Sequence, residues 1–128
     1  MKALLLALTF ALSAPAFAEI SMGQKIQLQA DMQRHIDSVS IGGVYRHIDI
    51  SDGSVRALYP AAGHPMILKM TQQDMFVLCS EMRDDQGASL NVDYYMAKTD
   101  TGFQVIRTEI ANRAPLKALM DKGLVAKL

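Results

Sequence analysis

Residues 44–59 read VYRHIDISDGSVRALY. Two segments of alternating character, Val44 to Ile50 and Val55 to Tyr59, flank Asp52-Gly53, a dipeptide suited to the positive φ angles of a two-residue type I′ turn. A turn centred there sets Ile50 against Val55, Ile48 against Ala57 and Arg46 against Tyr59 on one face. On the other face it sets Asp49 against Arg56 as a cross-strand ion pair. The stretch therefore predicts a β-hairpin and, with it, an antiparallel sheet.

Upstream, the period is helical. Ser21 and Gln24 make a capping-box pattern, and Met22, Ile26, Leu28, Ala30, Met32, Ile36 and Val39 fall on one broad side of a helix from about Met22 to Ser38. Lys25, Gln27, Asp31 and Arg34 are expected on the solvent side. Downstream, the two prolines of Pro60 to Pro65 are expected to break the ladder before a strand at Met66 to Met70. Further strands follow at Met75 to Arg83, Leu90 to Ala97 and Phe103 to Ile110, joined by turns rich in Asp and Gly. Asn112 to Lys122, with Pro115 near its start and Gly123 after its end, reads as a short closing helix.

These elements give an α+β fold: an N-terminal helix packed on a curved, mostly antiparallel sheet of five to six strands, with a short C-terminal helix. In element order the arrangement resembles the cystatin-like and NTF2-like folds, where a curved antiparallel sheet wraps a helix. The resemblance rests on order alone and transfers no activity. If Met75, Val77 and Cys79 face the first helix, then Phe76, Leu78, Tyr95 and Ile67 form a second apolar face, covered by the C-terminal helix or by another chain.

The first 18 residues have the three parts of an export signal. Lys2 is the positive start, Ala3 to Leu12 the apolar run, and Ala16-Phe17-Ala18 the small-residue cleavage site. The expected organisation is a signal peptide over residues 1–18 and one α+β domain over residues 19–128, placed in the periplasm or secreted. The run is too short to span a bilayer, for which about 20 apolar residues are needed. Thirteen basic and thirteen acidic side chains balance, and loss of Lys2 with the leader leaves one net negative charge. With no basic cluster to displace counterions, nucleic acid is excluded as an expected partner, and so is membrane insertion after cleavage. The single cysteine, Cys79, rules out an internal disulfide and reads as a small buried hydrophobe rather than a nucleophile.

No sequence signature of a hydrolase elbow, phosphate loop or zinc site is present. Three looser constellations remain. Tyr45, His47 and Asp49 alternate onto the hairpin face that carries Arg56, where an imidazole beside a carboxylate and a guanidinium could hold an anion or act as a general base. Asn91, Asp93 and Tyr95, with Arg107 and Glu109 on the next strand, could line the mouth of a curved sheet. His64 and Met66 offer one imidazole and one thioether, donors suited to Cu(I). Met70, four residues on, would stand about 13 Å from Met66 along an extended strand.

The leading expectation is a small exported, non-catalytic binding or interaction module, working as a homodimer or with a protein partner and needing no cofactor. Its ligand contacts are expected among Tyr45, His47, Arg56, Asp93 and Tyr95. One alternative is a small-pocket enzyme using His47 with Asp49 or Asp93. The other is a periplasmic Cu(I)-binding protein using His64 and Met66.

Overall fold

A computed structural model describes residues 20–128; the expected leader lies outside the described residues. The elements are α1 (Met22–Val39), β1 (Ser40–Ile41), β2 (Val44–Ile48), β3 (Val55–Met70), β4 (Met75–Arg83), β5 (Ser89–Lys98), β6 (Phe103–Ile110), α2 (Ala114–Asp121) and β7 (Val125–Lys127). All pairings are antiparallel, in the order β1-β2-β3-β4-β5-β6, with β7 added beside the end of β3. The expected α+β class, with an open curved sheet between two helices, is what the structure shows.

The capping box starts α1: Ser21 Oγ accepts from Gln24 N at 3.1 Å, and Gln24 Oε1 accepts from Ser21 N at 3.0 Å. A Schellman motif ends α2, with Gly123 at φ 69° and bonds from Gly123 N to Met120 O and from Leu124 N to Leu119 O.

Several local expectations are corrected. The expected hairpin forms, as β2 and β3, but the two-residue turn with positive φ at both residues, 60° and 78°, is Gly42-Gly43 between β1 and β2. At Asp52-Gly53 only the glycine has positive φ, so a type I′ turn is not available there. Asp49 instead organises a four-residue loop, accepting from Ser51 N at 2.9 Å, while Asp52 accepts from Ser54 N at 2.8 Å. The register moves by two residues: Ile48 faces Val55, Arg46 faces Ala57 and His47 faces Arg56. The proposed Asp49–Arg56 pair is not formed; Arg56 lies 3.7 Å from Asp84.

Pro60 to Pro65 does not end a strand. β3 runs through it with two register irregularities, between Pro60 and Gly63 and between Gly63 and Ile67. Both prolines are tolerated because β2 pairs β3 only as far as Leu58 and β7 begins at Leu68, so among the described residues no strand pairs with that side of β3 at Pro60 or Pro65.

The sheet faces are also reassigned. Phe76, Leu78 and Ile67 pack toward α1, joining Leu28, Met32, Ile36, Tyr94 and Met96 in one core. Val77 and Tyr95 lie on the second face with Leu68, Leu116 and Val125, under α2 and β7. Apolar residues occupy both parities of β4, so alternation could not tell the faces apart. Each fully buried aliphatic side chain in these cores contributes roughly 1.5–3 kcal/mol relative to exposure.

Helix α1 is rolled from its expected orientation. Asp31 is buried, whereas Met22 and Ile26 are 71% and 63% exposed. They border an apolar groove of about 400 Å³ with Pro65 and Ile67.

Candidate functional site

The roll of α1 brings Asp31 to the end of the sheet. Its carboxylate oxygen Oδ2 accepts from Gln27 Nε2 at 2.9 Å and from the main-chain amide of Phe103, the first residue of β6, also at 2.9 Å. Oδ1 accepts from Arg34. Burial pushes the Asp31 pKa up, but the bonds from Gln27, Phe103 and Arg34 outweigh it and hold the group below the usual carboxylate value. The approach is close enough to require glycine at position 102, since a Cβ there would stand 2.6 Å from Asp31 Oδ2. Thus α1 is pinned to the β5–β6 turn by one buried anion.

Beside this pin a cleft of about 230 Å³ separates α1 from β6, lined by Arg34, His35 and Ser38 on the helix and Phe103, Gln104 and Val105 on the strand. His35 stands edge-on to Tyr94 with ring centroids 6.0 Å apart, and burial lowers its pKa, favouring the neutral imidazole. Behind it Ser80 Oγ donates to Tyr94 Oη at 3.2 Å, and burial pushes the Tyr94 phenol up to about 12.

The strand wall is a sheet edge, because among the described residues β6 pairs only with β5. In an antiparallel ladder, successive residues turn their main-chain groups alternately toward and away from the neighbouring strand. The Phe103 amide points away from β5, as its bond to Asp31 requires, and Val105 therefore does the same. The bond from Ala111 N to Asn91 O sets the phase beyond the irregularity near Ile106, turning the main chains of Thr108 and Ile110 outward as well.

Asp31 is committed to three donors. Among the described residues, no hydrogen bond joins the His35 ring to a hydroxyl, thiol or carboxylate that it could activate.

The residues singled out from the sequence lie elsewhere, on opposite faces. Tyr45 packs against the helix-side core, and His47 shares its face opposite Arg56. Asp49 is held low by its hydrogen bonds to Ser51. Asp93 and Tyr95 lie on the other face. There Asp93 Oδ1 accepts from Cys79 Sγ at 3.1 Å and Arg113 Nη2 at 3.2 Å, and Tyr95 Oη is buried without a hydrogen-bond partner among the described residues. The structure accordingly brings His47 near Asp49 but places it on β2, with β3 and β4 between it and Asp93 on β5, and on the opposite face. Burial, reinforced by Asp93, pushes the Cys79 thiol up to about 12, which makes it a hydrogen-bond donor and a poor nucleophile.

His64 Nε2 lies 3.9 Å from Glu81, Met66 is half exposed and Met70 packs into the second core. Among the described residues no group of three or more His, Cys, Asp or Glu side chains is placed to hold a metal ion. No described helix is long and apolar enough to cross a membrane.

Asp31, Arg34 and His35 were legible only as ordinary polar positions of an amphipathic helix. What gives them a site is the neighbouring sheet edge, a property of topology rather than of local pattern. No protein-family model, curated protein or solved structure matches the chain.

Proposed function

We propose that this chain is a small exported, non-catalytic binding module that takes a segment of a protein partner in the cleft between α1 and β6. The observation that carries the reading is the cleft itself, where a helix wall bearing Arg34, His35 and Ser38 faces a strand edge with outward-turned main chain. Such a setting offers side-chain and main-chain contacts together to an extended segment of another chain. The leader-like residues 1–18 support export, into the periplasm or beyond.

The test is selection of phage-displayed octapeptides on the purified protein, followed by titration of a selected peptide into ¹⁵N-labelled protein. Amide shift changes concentrated at Arg34 to Ser38 and Phe103 to Val105 are expected. Failure to select any peptide, or changes centred away from these residues, would overturn the proposal.

A further inference from the structure

We infer that the partner segment binds by strand addition, as an extended peptide hydrogen-bonded to the open edge of β6; this rests on the cleft being the binding site. The inference comes from how unevenly the sheet protects its open main chain. Unpaired strand edges invite pairing with another chain, and proteins ordinarily blunt them by shortness, proline, lysine, bulges or inward charge. The free side of β3 between Leu58 and Leu68 carries Pro60 and Pro65. At the far end of the sheet, β1 is two residues long and already pairs with Val44 and Tyr45, leaving a short run of β2 open. β7 is three residues long.

β6 differs. It is eight residues long, terminal in the sheet, and has neither proline nor lysine from Phe103 to Ile110. Two devices interrupt it: the Asp31 carboxylate occupies the Phe103 amide, and an extra residue, Ile106, breaks the register with β5. Between and beyond them Val105, Thr108 and Ile110 present outward donors and acceptors, the first of these beside the α1 cleft. A row of main-chain groups at strand spacing is matched by another extended backbone, and its regular hydrogen bonds set the occupant's chemistry: a peptide in β conformation, largely independent of its sequence. The helix wall then accommodates alternate side chains of that peptide, which supplies selectivity. The Asp31 bond and the Ile106 irregularity limit the added strand to a few residues at a time. That limit works against open-ended self-assembly along the same edge.

The experiment is an N-methyl scan of the octapeptide selected on the protein, one residue at a time, with affinity read by calorimetry. N-methylation removes one N–H without altering the side chain. Strand addition predicts a period of two: alternate positions lose about fivefold or more in affinity, the intervening ones staying within about twofold. Equal losses at all positions, or none, with the peptide still perturbing Phe103 to Val105, would overturn strand addition and leave the cleft as a binding site. A peptide that perturbs other residues would overturn both. Thr108→Pro gives a check from the protein side, because its outward amide is not needed by β5. A folded variant whose affinity is unchanged, for a peptide whose shifts reach Thr108, would also count against the inference.

Discussion

Replacing Asp31 by alanine tests whether one buried carboxylate holds α1 to the β5–β6 turn. The variant loses the acceptor for the Phe103 amide, a charge-assisted bond of the kind worth about 1.5–3 kcal/mol. Arg34 adds less, since its side chain is 70% exposed and water screens the pair. Alanine returns roughly 0.5 kcal/mol through its better helix propensity. The net expectation is a loss of about 2 kcal/mol, which for a domain of this size lowers the melting temperature by roughly 8–16 °C.

The same bond sets a pH dependence. Because the folded pKa of Asp31 lies below its unfolded value, the unfolded chain binds more protons as the medium becomes acid. The stabilisation is complete above the unfolded pKa of about 4 and is lost as pH falls through the folded value. Urea denaturation of the wild type and of Asp31→Ala between pH 7 and pH 3 should therefore show a gap that narrows below about pH 4. A gap under about 0.5 kcal/mol at pH 7, within the range of an ordinary surface substitution, would refute the reasoning. So would a gap that stays constant to pH 3.

Gly102→Ala should cost about 1–3 kcal/mol by crowding the pinned carboxylate, and much less in an Asp31→Ala background, a coupling that a double-mutant cycle in urea would read. The Cys79 thiol should stay unreactive toward a disulfide reagent at pH 8 in the native protein and react once on unfolding; rapid native labelling would contradict its burial and its raised pKa. Arg113→Met should destabilise by about 1–3 kcal/mol, because it strips a buried Asp93 of a charged donor, and a chemical denaturation curve matching the wild type would count against that role. In an exporting cell the protein recovered outside the cytoplasm should have a mass beginning at Glu19, and an intact Met1 terminus would contradict the leader assignment.

The elements of the fold were largely written in local pattern: the capping box of α1, the limits of β4 and β6, and the Pro115 and Gly123 boundaries of α2 all match the structure. Patterns failed where side-chain hydrogen bonds reshaped a turn or where the decisive contact was distant. Asp52-Gly53 suits a two-residue turn, but Asp49 and Asp52 accept from the amides of Ser51 and Ser54 and hold a longer loop between β2 and β3. Pro60 and Pro65 read as breakers because the lack of a neighbour on that side of β3 is not a local property. Asp31 read as solvent-facing because its partner amide is 72 residues away. The site was less legible than the fold for the same reason. His47 and Asp93 could be named from residue type, but only the pairing register shows them on opposite faces, and only the strand order shows β6 at an edge.

Amide hydrogen exchange along β6, free and with a selected octapeptide bound, tests the central claim most directly. The account predicts that Val105, Thr108 and Ile110 exchange quickly in the free protein, while Gln104, Arg107 and Glu109, turned toward β5, are protected. Bound peptide should slow the first group and leave the second unchanged. Slow exchange of Val105, Thr108 and Ile110 in the free protein, or fast exchange that the peptide leaves unaltered, would contradict it.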